Sequence, residues 1–248
     1  MNNHYDNEQF FEKYSQMNRS VLGLEGAGEW KTLEPMLPDF SGKSVLDLGC
    51  GFGWHCLYAA QHGAKQVRGV DLSQKMLHVA AEKIAQAGLE EVISLEQGSM
   101  EAVFLPENTY DVVLSSLALH YVADFAAICR KVFSSLKPGG SFVFSVEHPI
   151  FTAYGNQDWL YDNNGTILCW PVDRYFLEGE RQAVFLGETI QKQHKTLTTY
   201  LHTLLSEGFQ IVDVQEPQPP QEMMHLPGMA DELRRPMMLL VSAKRPDL

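Results

Sequence analysis

Basic residues are scarce in this chain of 248 residues: 19 Lys and Arg face 31 Asp and Glu, a formal net charge of −12. Phosphate contacts need a dense basic face, so the deficit argues against a nucleic acid or another large polyanion as partner. Long apolar runs are missing too. The stretch from Val112 to Val122 is broken by Ser115, Ser116 and His120, whereas a membrane span needs about 20 apolar residues. The opening MNNHYDNEQF is polar and acidic, without the basic-then-apolar order of a secretory leader, which points to a cytoplasmic protein. Cysteine is sparse: Cys50, Cys56, Cys129 and Cys169 form no CxxC pair, and reduced thiols are the simplest reading. The histidines at 55, 120, 148 and 194 match no HExxH or other short ligand spacing, so no metal site is expected. Internal repeats and low-complexity tracts are lacking as well.

What is there begins with core material. Hydrophobic residues make up 45% and charged residues 20%, the proportions of an ordinary globular chain. The length favours one domain with an appendage over two domains. Short apolar runs suggest strands at Ser44–Leu48, Gln66–Val70, Val92–Gln97, Tyr110–Ser115 and Ser141–Val146. Between them lie stretches of helical period. Trp54–His62 reads as one helix, and Ser73 is placed to cap another that carries Met76, Leu77, Ala80 and Ile84 on one face and stops at Gly88. Phe125, Ile128, Cys129, Val132, Phe133 and Leu136 recur at helical spacing, and LKPGG (Leu136–Gly140) reads as a stop and turn. This alternation predicts an α/β fold, a doubly wound and mostly parallel sheet with helices on both faces.

From Glu147 to about Lys195 the period is lost. Aromatics (Phe151, Tyr154, Trp159, Tyr161, Trp170, Tyr175, Phe176) and turn signals suggest an inserted lid of short strands or hairpins. Helix and strand return at Thr196–Glu207 and Gln210–Glu216, and the last strand, Pro236–Ala243, is expected to pair antiparallel. The expected organisation is a single domain over 1–248: a helical cover at 1–40, a nucleotide-binding core at 41–147, the lid at 148–195, and a helix with two strands at 196–248.

The chemistry starts at VLDLGCGFGWH, Val45 to His55. A dinucleotide fingerprint G-x-G-x-x-G would need its third glycine at position 54, where helix and strand must touch. That position is Trp54, and an indole obstructs such packing. The spacing here is D-x-G-x-G-x-G, through Asp47, Gly49, Gly51 and Gly53, and VLDLGCGFG resembles the first motif of the class I S-adenosylmethionine-dependent methyltransferases. GVDLS (Gly69–Ser73), DVVLSSLALHYV and LKPGGSFVFS resemble later segments of that family, in the expected order, over roughly residues 44–146.

The resemblance implies S-adenosyl-L-methionine as cofactor and a Rossmann-like methyltransferase fold with a seven-stranded sheet. It implies that Asp71 accepts the ribose hydroxyls, that Leu72 lies against adenine, and that Tyr14 and Arg19 stand near the methionine moiety. The same segments nominate Gly49, Cys50, Gly51, Gly53, Met76, Met100 and Ser115 as cofactor contacts. The family's acid after the third strand is replaced by Ser99, leaving either the Ser99 hydroxyl or Glu101 to meet the adenine amino group.

Several residues have two readings. Asp47 holds the loop by accepting backbone amides or receives the cofactor's ammonium; Asp71 is a ribose acceptor or a helix cap. His120, His148 and Glu147 are candidates to orient or deprotonate an acceptor, or else structural residues. Arg234 and Arg235 bind an acidic group or form a surface pair. A small-molecule methyltransferase, with the aromatic lid enclosing its substrate, leads over one acting on protein or RNA; an NAD(P)-dependent oxidoreductase is disfavoured. Whether the chain forms a homodimer is left open.

Overall fold

The computed structural model describes residues 4–247. Three helices, α1 (Glu8–Ser15), α2 (Asn18–Val21) and α3 (Trp30–Leu33), precede the first strand, β1 (Ser44–Leu48). Strand and helix then alternate through α4 (Trp54–Gln61), β2 (Gln66–Asp71), α5 (Gln74–Ala87), β3 (Ile93–Gln97), β4 (Tyr110–Ser116), α6 (Phe125–Ser135) and β5 (Leu136–Glu147). The insertion holds α7 (Pro149–Thr152) and two hairpins, β6 (Leu160–Tyr161) with β7 (Ile167–Cys169) and β8 (Gly179–Phe185) with β9 (Glu188–His194). The chain continues through α8 (Leu197–Ser206), β10 (Gln210–Gln215), α9 (Met229–Glu232) and β11 (Met238–Lys244).

Seven strands make one sheet in the order β10-β11-β5-β4-β1-β2-β3. Pairings among β1 to β5 are parallel. Strand β11 runs antiparallel to both of its neighbours, β10 and β5. All five residues of β1 are buried, as a central parallel strand covered on both faces requires. On β5 the pleat divides the core: Phe142, Phe144 and Val146 face one layer, with Phe125, Ile128 and Val132 of α6 and Tyr200 and Leu204 of α8. Val143 faces the other, with Trp30 and Leu33 of α3, Cys56 and Leu57 of α4 and Ile84 of α5. The fold is the expected doubly wound α/β fold.

Local capping follows the chemistry of the sequence. The Ser73 hydroxyl accepts from the Met76 amide at 3.1 Å, and α5 ends on Gly88 at φ +65°. Asp124 accepts from the Ala127 amide to start α6. One boundary differs from expectation. LKPGG lies within β5, because Leu136 already pairs with Tyr110 and the register slips before Ser141 meets Val112. Pro138 lacks an amide hydrogen and Gly139 sits at φ +75°, so the ladder is interrupted there without the strand turning away. No helix among the described residues is long and apolar enough to cross a membrane.

Candidate functional site

The glycine loop sits at the carboxyl end of β1. The Gly49 and Cys50 amides both donate to Val70 O, at 2.8 and 3.0 Å, which pins the loop to β2. Gly49 has φ +78°, and a Cβ there would lie 2.4 Å from the Ala118 Cβ, so neither the conformation nor the space admits a side chain. A third loop amide reaches the end of β2: Gly51 donates to Asp71 Oδ2 at 2.8 Å. The other Asp71 oxygen accepts from the Ser73 amide at 2.8 Å. Burial pushes the Asp71 carboxyl up, against these hydrogen bonds.

Above the loop lies a cavity of about 480 Å³, in the size range of small-ligand sites. Its near half is lined by Gly49, Cys50, Gly51, Asp71, Leu72, Met76 and Met100, and by Tyr14 and Arg19 of the N-terminal segment. Its far half is lined by His120 and Tyr121 after β4, Glu147 at the end of β5, and Phe185, Ile190, Gln191 and Gln193 of the β8–β9 hairpin.

The N-terminal segment is held over the cavity by aromatic edges and one cap. Tyr5 packs edge-on against Phe10, Tyr14 and Tyr121, and its hydroxyl is 3.0 Å from that of Tyr121. Phe11 and Tyr14 pack edge-on against Phe52 of the glycine loop. Asp6 Oδ1 accepts from Ser73 Oγ and from the Lys75 amide, so the segment is tied to the N-terminus of α5. Arg19 pairs with Glu29, which is 2% exposed. Around this pair Ser20 Oγ, Glu29 Oε2, Trp54 Nε1 and His55 Nε2 are buried without a hydrogen-bond partner. Ser20, Trp54 and His55 also line the cavity. Burial pushes the His55 imidazole down to about 4.

In the far half, Glu147 is clamped by the insertion. Lys192 Nζ donates to Glu147 Oε1 at 2.5 Å and to Gln157 Oε1 at 2.8 Å, and Gln157 Nε2 donates to Glu147 Oε2 at 2.6 Å. Burial would raise the Glu147 carboxyl, but the neighbouring His120, the Lys192 ammonium and both hydrogen bonds outweigh it and hold it below the ordinary range. His120 is buried, its Nδ1 accepts from the Glu147 amide at 3.4 Å, and burial pushes it down to about 4.

Five residues nominated from the sequence stand outside the cavity lining. Asp47 lies beneath the loop, 1% exposed, and accepts from Cys56 Sγ at 3.4 Å while Oδ1 has no partner. Of its two readings, acceptance of loop amides is not met: the Gly51 amide goes to Asp71 and those of Gly49 and Cys50 to Val70 O. Burial pushes the Asp47 carboxyl up to about 7. Gly53 caps α4, where a Cβ would meet Ala80 at 3.1 Å. Ser115 donates to Leu48 O at 2.7 Å inside the sheet. Ser99 donates to Glu101 Oε2 at 2.6 Å, and Glu101 is the one that lines the cavity. His148 is corrected most clearly. Its Nδ1 accepts from the Ile150 amide to cap α7 and its Nε2 lies 2.8 Å from Glu216 Oε1 without forming a hydrogen bond, so the ring is set away from the cavity.

The lid aromatics are corrected too. Phe151 and Trp170 stack at 4.9 Å, Trp159 packs edge-on against Trp170, and Arg235 lies over all three rings while pairing with Glu232. This cluster binds the β6–β7 hairpin to the segment before β11 and takes up Arg235, for which an acidic group was one of two readings. Tyr5, Glu29, Phe185, Ile190, Gln191, Gln193 and Lys192 were missed. The short turn Leu186-Gly187 between Ala183–Phe185 and Thr189–Ile190 was the sequence signal available for the hairpin. Among the described residues, no group of three or more His, Cys, Asp or Glu is placed to hold a metal ion.

Residues 46–144 match the methyltransferase domain family. A Listeria monocytogenes protein assigned as an S-adenosylmethionine-dependent methyltransferase has a similar structure, with a TM-score of 0.85 and 58% identity over 90% of this chain and 99% of that one. An S-adenosylmethionine-dependent methyltransferase of Mesorhizobium loti superposes with a TM-score of 0.81 at 45% identity, over 90% of this chain and 100% of that one. An uncharacterized Haemophilus influenzae protein is 32% identical over 244 residues, 97% of this chain and 96% of that one.

Proposed function

The chain belongs to the class I S-adenosylmethionine-dependent methyltransferases, and we propose that it methylates a small molecule held in the far half of its cavity. The observation that carries this reading is the continuity of the two halves. The glycine loop and Asp71 form one end, and the β8–β9 hairpin with Tyr5 and Tyr121 walls the other. A single cavity of this size with aromatic walls suits a compact acceptor beside the cofactor.

When bound, S-adenosylmethionine supplies a methyl group on a positively charged sulfur. The protein's work is then positional: holding an acceptor atom in line with that methyl and excluding water. Asp71 would accept the ribose hydroxyls, Leu72, Met76 and Met100 would hold the adenine, and the bare backbone of Gly49, Cys50 and Gly51 would allow close approach. Tyr14 and Arg19 cover the methionine end. Two features support the fit there: the steric bar to any side chain at Gly49, and the unpartnered polar atoms of Ser20, Glu29, Trp54 and His55. Buried polar atoms without partners are costly. A zwitterionic amino acid would find Arg19 and Trp54 Nε1–H at the cavity wall for its carboxylate, while Glu29, behind the lining, would hold Arg19 in place. Glu147 holds the hairpin in place through Lys192, and Gly53, Ser99 and Ser115 support the loop and its surroundings from beneath.

The test is methyl transfer from S-adenosylmethionine carrying a labelled methyl into a fractionated bacterial extract. Label in the low-mass fraction is expected. Label confined to protein or RNA would overturn the small-molecule reading and leave the family unaffected.

A further inference from the structure

The far half of the cavity carries one imidazole whose hydrogen-bonding sense is set by the fold. The Glu147 backbone amide points its hydrogen at His120 Nδ1, 3.4 Å away. A backbone amide cannot accept, so Nδ1 must present its lone pair. In the neutral ring the proton then sits on Nε2, the remaining polar atom of a side chain that lines the cavity. A base needs the opposite tautomer, with a lone pair on Nε2 and N–H facing N–H across the Glu147 contact.

Charging the ring is opposed as well. Arg19 of α2, Lys192 of β9 and Lys195 just after β9 all disfavour a further cation, Glu147 at the end of β5 favours one, and burial outweighs them all. Tyr121 stacks at a tilt on the ring, with centroids 4.4 Å apart, and adds no charge.

Apart from the members of two ion pairs, the charged side chains that line the cavity are the acids Asp71 and Glu101. Glu147 is matched by Lys192, and Arg19, the only Lys or Arg among the described lining residues, is matched by Glu29. Lys195 Nζ is taken up by Val122 O at 2.5 Å. Tyr5, Tyr14, Tyr121 and Phe185 supply flat apolar faces, and Gln191 and Gln193 the remaining polar edges. A carboxylate or phosphate on the acceptor would meet no unmatched cation, at a cost that burial multiplies.

We propose that His120 acts as a fixed hydrogen-bond donor through Nε2–H, and that the acceptor it orients is an uncharged, flat molecule bearing an oxygen beside the methylated atom. The proposal rests on the cofactor reading above and names the acceptor class for that same cavity. It assigns His120 to positioning the acceptor, and removal of any proton from the acceptor to another agent.

The probes are 2-naphthol, neutral at neutral pH, and the matched anion 2-naphthoate, titrated calorimetrically into protein saturated with S-adenosylhomocysteine. The naphthol is expected to bind about tenfold tighter, the worth of roughly one buried hydrogen bond plus the avoided charge. His120→Ala should lose that margin, and His120→Gln, whose amide also donates, should recover most of it. Nitrogen-15 spectra of the imidazole should show the Nε2–H tautomer without titration between about pH 5 and 8. Equal or tighter binding of naphthoate, no binding of either probe, or an imidazole titrating near about pH 6.5 would overturn the proposal. Unchanged S-adenosylhomocysteine affinity in both variants establishes that they fold and that the cofactor reading stands. Failure of S-adenosylhomocysteine to bind wild-type protein would instead sink the cofactor reading, and this proposal with it.

Discussion

Replacing Lys192 with Met tests the clamp that holds the insertion against the sheet. Lys192 is 2% exposed, and its ammonium is shared between Glu147 and Gln157. Met preserves most of the stem volume and removes the charge. Glu147 is then left half-buried at the cavity wall, its side chain 16% exposed, with Gln157 as its side-chain partner; removing one member of such a pair costs up to about 3–5 kcal/mol. For a chain of this size each kcal/mol moves the midpoint by about 2–4 °C, so thermal unfolding followed by circular dichroism should fall by up to about 6–20 °C.

The pH dependence separates this cause from lost packing. In the wild type the Glu147 carboxyl is held below its ordinary range, so its stabilisation is present above the unfolded value of about 4.3 and lost as pH falls through the folded one. In Lys192→Met, burial acts without the ammonium and raises the carboxyl, so the penalty is largest at neutral pH and eases as acid protonates Glu147. The deficit should therefore narrow between about pH 7.5 and 5. Adding Glu147→Leu should recover most of the loss, because replacing both members of a buried pair by apolar groups is nearly neutral. A midpoint loss of less than about 3 °C, or a double variant no better than the single one, would refute the reasoning.

Asp47→Asn addresses the acid beneath the loop. The folded value of about 7 lies above the unfolded one, so ligand-free wild type should lose stability as pH rises through about 4 to 7 while the variant does not; denaturant titrations at several pH values should show a gap of up to ~4 kcal/mol at the alkaline end. Gly49→Ala forces a Cβ into Ala118 at a positive φ and should cost about 2–5 kcal/mol by the same titration. Glu29→Gln should weaken S-adenosylhomocysteine roughly tenfold by calorimetry and leave 5′-methylthioadenosine, which lacks the amino acid, unchanged. Equal loss for both ligands would remove Glu29 from the methionine end.

What could be read in the sequence was local or periodic. The strands from Ser44 to Val146 announced themselves because each apolar run ends at a residue with a distinct backbone task, such as Gly49 or Ser73. Gly49, Asp71 and Leu72 were legible because the loop and the next strand end are adjacent in a parallel sheet. Asp47 was harder: its neighbours in space, Cys56 and the loop, leave it buried and half-satisfied, which no spacing announces. The lid misled through composition. Aromatics there read as substrate walls, yet Arg235, distant in sequence, draws Phe151, Trp159 and Trp170 into a cluster of their own. The walls that do face the cavity, Phe185 and Ile190, belong to a hairpin closed by the short turn Leu186-Gly187, and its place beside the glycine loop is set by contacts distant in sequence. The same holds for Lys192, a residue that composition assigns to the surface and a distant carboxylate draws inside.

Strand β11 has a bearing on how the molecule is made. It is synthesised after β10 yet lies between β10 and β5. Until residues 238–244 leave the ribosome, β5 is a bare edge with Phe142 and Phe144 beside it, and β10 has nothing to pair with. Assembly of that side of the molecule therefore waits on residues 238–244, and the nascent chain keeps an edge open to aggregation until they emerge.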